Sequence, residues 1–434
     1  MDTNSNNNNN NKSKLISWIN YDSNDYFPIE NLPFGVCKAK DNDDVACFSR
    51  ISKTCINLSV LEKAGLLDSN NHKFDKNTFN QSTLNKFISL GKEVWHQVRF
   101  ILTDIFTDVS YKNNENVGKS LRDLNDLNCL LPVTIGDYTD FYSSKNHAYN
   151  IGSLLRPNNP LQPNWTHLPV GYHGRSSTVV VDGTEIVRPR GQVKKSKDED
   201  VSIFSECKRL DIEVEMGVVL GKSNQMGKPI KISEASEYIF GFVLLNDWSA
   251  RDIQAWEYVP LGPFLAKNFA TTISAWIITS EALKPFKVDL EPQNPKPLKY
   301  LHEEKLISYD IPIDILLKSK NQSNYNKIGT TNYKYMYWTI NQQITHHAVT
   351  GCSMKVGDLL GSGTISGKEE GSYGCLMESN KNATKKVKVG DEERLWLEDG
   401  DTVNFSACCQ GNGYKIGFSD CSGKILPALS EDNY

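Results

Sequence analysis

The sequence predicts a mainly β protein of the α+β class. Between residues 131 and 434, segments such as STVVVDG, DIEVEMGVVLG and IFGFVLLND read as strands, and Gly and Pro separate them. These segments do not alternate regularly with helical ones, so a parallel doubly wound sheet is not expected. One long amphipathic pattern, from Leu84 to Phe106, predicts a helix because its apolar residues recur at three- and four-residue spacing.

Composition shifts along the chain predict three regions. Residues 1–14 form a polar, Asn-rich stretch that predicts a disordered tail without a catalytic role. Residues 15–130 combine short extended segments with the long helix, and the polar stretch YKNNENVGKS that follows the helix lies close to the boundary. The β-rich residues 131–434 are then expected to form a second, larger domain.

Charge and hydropathy exclude several kinds of partner, and cysteine usage indicates the redox compartment. The net charge of −4 favours neither nucleic acid nor a polybasic membrane surface, and no apolar run reaches the roughly 18 residues that span a bilayer. The ten cysteines contain no C-x-x-C pair, and the N-terminus lacks the pattern of a secretory signal. We therefore expect reduced thiols and a cytosolic protein.

The segment DIEVEM is the first candidate site. On a strand, Asp211, Glu213 and Glu215 share one face because side chains alternate. A solvated edge strand explains such acids as well as a site does, although the apolar segment GVVLG that follows favours an inner position. Acids directed into an interior need protonation or a cation, and a ligand set of oxygen atoms favours Ca²⁺ or Mg²⁺.

The segment NDWSARDIQAWEYVPLGPF is the second candidate. If the chain turns helical after an apolar strand, Asp247, Arg251, Gln254 and Tyr258 fall on one helical stripe, and Pro260 ends the helix. An exposed polar face with an Asp–Arg pair is an equally good interpretation of this pattern.

The segment IGDYTDFYSSKNHAYNIGSLLR is the third candidate. It places Asp140, Tyr142, His147 and Arg156 in a short window. A lone histidine is more often structural than catalytic, but one close to an acid and a tyrosine can serve as a general base.

From about Trp18 onward, several segments together resemble the fumarylacetoacetate hydrolase family. The matching segments are NLPFGV, IGDYTDFYSS, LPVGYHGRSS, DIEVEM, NDWSARDIQAWEYVPLGPF, GSGTISG and CQGNGYKIGF. The resemblance implies a small N-terminal SH3-like β-barrel, a large C-terminal mixed β-sandwich roll and a homodimer. It also implies cleavage of a C–C bond of 4-fumarylacetoacetate, the last step of tyrosine and phenylalanine catabolism. The rival interpretations are another diketo-acid reaction, such as acylpyruvate hydrolysis or decarboxylation, and an inactive scaffold.

The same resemblance implies a role for individual residues. Cation ligands are implied at Asp140, Glu213, Glu215 and Asp247 for Ca²⁺, and near Asp247 with Lys267 and Thr271 for Mg²⁺. His147 is implied as the base, Glu378 as the acid that orients it, and Arg251, Gln254 and Lys267 as the oxyanion-stabilising group. Substrate contact is implied for Tyr142, Arg156, Tyr172, Gln254, Tyr258 and Thr364.

Overall fold

The structure is a computed structural model that describes residues 14–196 and 199–434. Apart from Lys14, the predicted Asn-rich tail lies outside the described residues. The protein is mainly β with few helices, as predicted. Within the two described ranges, no helix combines the length and the apolar character that crossing a membrane requires.

The strands and helices are short, and their bounds define the labels used below. The strands are β1 Phe34–Ala39, β2 Val45–Ile51, β3 Thr54–Asn57, β4 Leu121–Asp123, β5 Leu127–Leu130, β6 Tyr138–Phe141, β7 Gly171–His173, β8 Val179–Val181, β9 Ile186–Val187, β10 Arg190–Lys194, β11 Ser202–Glu206, β12 Leu210–Asp211, β13 Val214–Leu220, β14 Ile239–Asp247, β15 Ser249–Ala250, β16 Thr271–Ile273, β17 Trp276–Thr279, β18 Lys287–Asp289, β19 Ile307–Tyr309, β20 Pro312–Lys318, β21 Asn326–Asn332, β22 Leu359–Gly361, β23 Val387–Val389, β24 Glu392–Arg394, β25 Thr402–Gln410, β26 Lys415–Gly417 and β27 Cys421–Leu426. The helices are α1 Leu58–Lys63, α2 Asn85–Ile88, α3 Lys92–Thr107, α4 Glu115–Ser120, α5 Lys145–Leu155, α6 Arg251–Glu257, α7 Ile340–Ala348 and α8 Leu376–Ser379.

Two sheets pack around the main hydrophobic core. The larger sheet has the order β4-β3-β2-β1-β17-β14-β13-β22-β6-β7, and the smaller one has the order β21-β20-β25-β27-β9. Leu244 of β14 and Phe405 of β25 belong to the same buried cluster, so apolar faces of both sheets meet in one core. This is the arrangement of a β-sandwich.

The N-terminal part forms an antiparallel unit of strands in the order β4-β3-β2-β1-β5. Its strand β1 also pairs with β17, where Phe34 lies opposite Ile277, so the unit extends the larger sheet. Phe34 and Phe240 belong to one buried cluster that both parts of the chain contribute to. The division at residues 130 and 131 therefore stays a prediction.

The predicted single helix over Leu84 to Phe106 is wrong in one respect. The structure has two helices, α2 and α3, separated by a turn at Gly91, whose φ is +88°. This left-handed conformation is one that glycine adopts without a steric penalty. The turn allows Trp95 of α3 to pack edge-on against Phe240 of β14, with 5.0 Å between ring centroids.

Candidate active site

Four carboxylates converge in the larger sheet. Asp140 lies on β6, Glu213 directly precedes β13, Glu215 lies on β13, and Asp247 ends β14. One oxygen atom from each lies within 4.8 Å of the others, and all four side chains are buried. They meet because β14, β13, β22 and β6 are consecutive neighbours in the sheet, although the residues are far apart in sequence.

The predicted strand through DIEVEM is interrupted. Asp211 belongs to β12, which pairs with β15, whereas Glu215 belongs to β13, which lies between β14 and β22. The chain leaves the strand conformation at residues 212 and 213, so the prediction of a single strand through all three acids is wrong, and Asp211 lies outside the cluster that Glu213 and Glu215 join. Every residue of β13 is buried, which excludes the solvated edge strand.

The predicted helical stripe is also wrong in part. Helix α6 begins at Arg251, so Asp247 reaches the site from the end of β14 and not from the helix. Arg251 and Gln254 do meet on α6, where Arg251 Nη1 donates to Gln254 Oε1 over 3.2 Å. Tyr258 follows the last residue of α6 and is 45% exposed.

Two buried cations flank the carboxylate at Glu213. Arg251 Nη2 lies 2.8 Å from Glu213 Oε1 without hydrogen-bond alignment, and Arg251 Nε donates to Asp211 over 2.8 Å. Lys267 Nζ contacts the other oxygen of Glu213 and lies 2.5 Å from Asp247 Oδ2. Although burial opposes ionisation, Lys267 and Arg251 lower the pKa of Glu213. Burial also opposes the charge on Lys267, but Asp247 and Glu213 raise its pKa.

Asp140 and Glu215 form no ion pair with either cation among the described residues. Burial raises the pKa of Asp140 and Glu215 well above the usual range, and the neighbouring carboxylates raise it further. Asp140 Oδ1, Glu215 Oε1 and Asp247 Oδ1 are buried and have no hydrogen-bond partner among the described residues. Unpartnered buried carboxylate oxygens are costly in a protein unless a cation or a proton compensates them. The cluster therefore fits a divalent metal ion held by oxygen ligands.

The other two predicted metal ligands, Thr271 and Lys267, present different chemical groups to a cation. Thr271 is buried on β16 and lies directly opposite Asp247 across the sheet, so it is next to the cluster. Lys267 presents an ammonium group to the cluster, and an ammonium has no lone pair for a cation. Its role as a metal ligand stays a prediction that only its backbone carbonyl can fulfil.

His147 and Glu378 form a buried hydrogen-bonded pair. His147 lies in the first turn of α5, where the side chain of Ser144 caps the helix. Its Nδ1 lies 2.7 Å from Glu378 Oε2, so an ionised Glu378 selects the tautomer that carries the proton on Nδ1 and leaves Nε2 as the basic atom. Although burial opposes ionisation, the charge and hydrogen bond of His147 and the hydrogen bonds from Asn150 and Ser366 lower the pKa of Glu378.

The predicted substrate-contacting residues occupy different parts of the site. Tyr142 packs edge-on against His147, with 5.3 Å between ring centroids. Tyr172 donates from its hydroxyl to Asp247 Oδ2 over 3.1 Å, so it touches the carboxylate cluster. Thr364 is buried in the segment that follows β22, and the Nε atom of Arg156 is buried at the end of α5.

A cavity of about 220 Å³ leads from the surface to this cluster. Tyr172, Asp247, Lys267 and Phe264 are among its lining residues. The space gives a small molecule access to Asp247 and Lys267. Tyr258 is not among the residues that line this cavity.

Sequence reasoning missed several residues of the site. Asn150, Ser366 and Cys375 all donate to the Glu378 carboxylate, over 2.8, 2.8 and 3.2 Å respectively. The position of Asn150 three residues after His147, on the same helical face, was a usable signal. Cys375 lies three residues before Glu378, so the same spacing was a usable signal for it, whereas Ser366 had none because only the tertiary fold brings it to Glu378.

Asp211 has a structural role that the sequence pattern did not assign. It accepts hydrogen bonds from Arg251 Nε and from the backbone N–H groups of Leu376 and Met377 at the start of α8. One carboxylate thus connects the helix that carries Arg251 to the helix that carries Glu378.

We expect Asp211→Asn to lower both stability and turnover. The change removes the charge that pairs with buried Arg251, and breaking a buried ion pair destabilises a protein by about 3 kcal/mol. Denaturant unfolding and kcat measure the two effects. The control is Glu237→Gln, which breaks the exposed Lys92–Glu237 pair, and we expect at most about 1 kcal/mol there. Equal stability of the two variants would contradict the role assigned to Asp211.

Comparisons with known proteins identify the family to which the chain belongs. Residues 30–132 match the family model described as fumarylacetoacetase N-terminal, and residues 138–421 match the one described as fumarylacetoacetate hydrolase C-terminal. The chain is 48% identical to the fumarylacetoacetase of Dictyostelium discoideum over 96% of its length and 99% of that protein. It is 45% identical to the fumarylacetoacetase of Homo sapiens over 93% of its length and 97% of that protein.

A solved structure with the same fold is the fumarylacetoacetate hydrolase of the psychrophile Exiguobacterium antarcticum. The TM-score is 0.53 at 14% identity, over 91% of this chain and 99% of that one. At this identity the likeness concerns the fold alone. Both family models and the long, similar relatives show that the chain is a hydrolase and belongs to the fumarylacetoacetate hydrolase family.

Proposed function

We propose that the protein hydrolyses 4-fumarylacetoacetate to fumarate and acetoacetate, the last step of tyrosine and phenylalanine catabolism. The observation that carries this proposal is the His147–Glu378 pair in the same fold as a buried carboxylate cluster that Arg251 and Lys267 flank. Hydrolysis of a β-diketone needs these two components: a base that activates water, and a charged site that tolerates an enolate. The 44–48% identical relatives named fumarylacetoacetase support this substrate.

The base step follows from the geometry of His147. Because Nδ1 faces Glu378, the Nε2 atom can take a proton from water, and the water oxygen then attacks the carbonyl next to the fumaryl group. Glu378 holds the imidazole in this tautomer and stabilises its positive form after proton transfer. The Asn150, Ser366 and Cys375 hydrogen bonds hold Glu378 itself.

The oxyanion of the tetrahedral intermediate needs donors that are already in place. Gln254 is oriented by Arg251, which binds its amide oxygen and leaves the amide NH₂ as the end that can donate. Arg251 and Lys267 carry further N–H groups beyond those that face Glu213 and Asp247. Losing one such donor costs on the order of 3 kcal/mol in the transition state.

The carboxylate cluster supports a divalent cofactor. Asp140, Glu213, Glu215 and Asp247 would hold it, and we propose Ca²⁺ or Mg²⁺ because their ligands are oxygen atoms. The chemistry that the cation supplies when bound is stabilisation of negative charge on the enolate leaving group. Tyr172, which donates to Asp247, helps to orient one of the ligands.

Loss of 4-fumarylacetoacetate, followed by ultraviolet absorbance with and without a chelator, tests this function. We expect turnover that a chelator abolishes and that Ca²⁺ or Mg²⁺ restores. The same preparation is assayed with an acylpyruvate, since a related diketo-acid reaction is the rival. Faster turnover of the acylpyruvate than of 4-fumarylacetoacetate would contradict the proposed substrate.

We also propose a homodimer in the cytosol. Exposed apolar side chains between α6 and β16, among them Val259, Leu261 and Phe264, support self-association because they offer an apolar surface. The ten cysteines are free thiols, which supports a reducing compartment. Sedimentation velocity of the full chain measures the oligomeric state, and a monomer at all concentrations would contradict the dimer.

A further inference from the structure

We propose that His147, Cys375 and Glu378 form a second metal site, which takes a soft divalent ion such as Zn²⁺ or Cd²⁺ and inhibits the enzyme. One ligand atom from each residue lies within 4.8 Å of the other two, and all three side chains are buried. An imidazole, a thiol and a carboxylate are the ligand types that zinc prefers in proteins. The inhibition depends on the function proposed above, but the metal site itself does not.

The geometry needs little adjustment to admit the ion. His147 Nδ1 and Cys375 Sγ lie 2.7 and 3.2 Å from the same oxygen, Glu378 Oε2. Around a tetrahedral zinc ion, ligand atoms of these types are roughly 3.3 to 3.6 Å apart, since the bonds measure about 2.0 to 2.3 Å. The His147–Glu378 and Cys375–Glu378 contacts therefore have to lengthen by only about half an ångström.

The residues behind the three ligands already resemble an outer ligand sphere. Ser366 Oγ donates to Glu378 Oε2 and Asn150 Nδ2 donates to Glu378 Oε1, each over 2.8 Å. Hydrogen bonds of this kind orient a ligating carboxylate and strengthen metal binding.

Metal binding here would block the base by changing its tautomer. The hydrogen bonds of the pair place protons where the metal has to lie, on Nδ1 of His147 and on the thiol of Cys375. When the ion binds, the thiol proton leaves to solvent and the imidazole proton moves from Nδ1 to Nε2. The atom that should accept a proton from water then carries one, so hydrolysis stops.

The two sites differ in the ions they select. The cluster of Asp140, Glu213, Glu215 and Asp247 offers only oxygen atoms and suits hard cations, whereas the second site offers nitrogen, sulfur and oxygen. We therefore expect zinc to inhibit the protein saturated with Ca²⁺, and additional Ca²⁺ not to relieve the inhibition. Relief by Ca²⁺ would place the zinc in the carboxylate cluster and overturn the proposal.

The kinetic test compares variants of two cysteines in a zinc-buffered titration of the Ca²⁺-loaded protein. Cys375→Ser keeps a hydroxyl that can donate to Glu378 but loses the thiolate ligand. We expect its inhibition constant for zinc to rise about tenfold or more, as measured against the variant's own uninhibited rate. The control, Cys352→Ser, changes a partly exposed cysteine and should be inhibited like the unmodified protein. Equal inhibition of the unmodified protein and Cys375→Ser would overturn the site, and an active unmodified protein that zinc does not inhibit would overturn the proposed inhibition.

A second measurement does not depend on turnover. Cd²⁺ bound to a thiolate gives an ultraviolet charge-transfer band, which we expect in the unmodified protein and in Cys352→Ser. Cys375→Ser should lack this band, provided that circular dichroism shows a folded protein. If the unmodified protein and Cys375→Ser give the same cadmium spectrum, the thiol is not a ligand. A cadmium signal that depends on Cys375 in a protein without hydrolytic activity would contradict the proposed function and leave the metal site standing.

Discussion

His147→Ala should abolish hydrolysis while leaving a folded protein that binds its cation. The substitution removes the basic Nε2 atom, and loss of a general base lowers kcat by about a thousandfold. In this variant the buried Glu378 keeps its hydrogen bonds from Asn150, Ser366 and Cys375. These donors still stabilise the negative charge of the carboxylate. Steady-state kinetics of 4-fumarylacetoacetate loss and a calcium titration by calorimetry measure the two properties.

A second histidine provides the control for this prediction. His346 lies on α7, where its Nδ1 is 3.0 Å from the hydroxyl of Tyr300. We expect His346→Ala to retain most of the activity because it lies outside the carboxylate cluster and the His147 pair. Near-normal turnover by His147→Ala would remove this residue from the mechanism, and a parallel loss in both variants would point to a general effect on folding.

Glu215→Gln should remove cation binding without destabilising the cation-free protein. Glu215 is fully buried beside Asp140 and Asp247, so neutralising it relieves repulsion between like charges. The unmodified protein should gain about 2.7 kcal/mol at a Ca²⁺ concentration a hundredfold above Kd, and the variant should gain almost nothing. Thermal unfolding with and without Ca²⁺ measures both quantities.

The control variant for this comparison is Glu234→Gln, which alters an exposed carboxylate paired with Lys231. It should keep the full stabilisation by Ca²⁺. If Glu215→Gln is stabilised by Ca²⁺ as much as the control, the carboxylate cluster is not the cation site.

The same carboxylates determine how the stabilisation by Ca²⁺ depends on pH. The pKa values of Asp140 and Glu215 are raised in the folded, cation-free protein, by burial first and by neighbouring acids second. The stability that such groups contribute is present below their unfolded pKa values and is lost as the pH rises through the folded ones. The free energy of unfolding of the cation-free protein should therefore fall with rising pH. The stabilisation that Ca²⁺ produces should grow over the same range. A stabilisation by Ca²⁺ that shrinks as the pH rises would contradict the raised pKa values assigned to Asp140 and Glu215.

The fold class followed from patterns that are local in the chain. Strand segments separated by Gly and Pro predicted a mainly β protein, and the structure confirms it. Two predictions that extended a local periodicity over a long segment were wrong. One helix was predicted across Gly91, and one strand was predicted across residues 212 and 213, but in each case the chain breaks to satisfy packing with distant strands.

The residues of the site were recognisable from their segments, but their arrangement was not. Asp211 shows the difference: its spacing from Glu213 and Glu215 suggested a third acid on one face, whereas pairing between β12 and β15 directs it to Arg251. Likewise, Ser366 reaches Glu378 only because the fold brings its segment to α8.

The sequence by itself determined which chemical groups are present and which family they indicate, and that resemblance implied that acids, a histidine and two cations belong to one site. The tertiary structure alone decided which acid faces which cation, because that depends on the register between strands that are distant in the chain. A side chain's partner across a sheet is set by hydrogen-bonded pairing and by the exclusion of water from the core. Neither is encoded in the spacing of residues within a single segment.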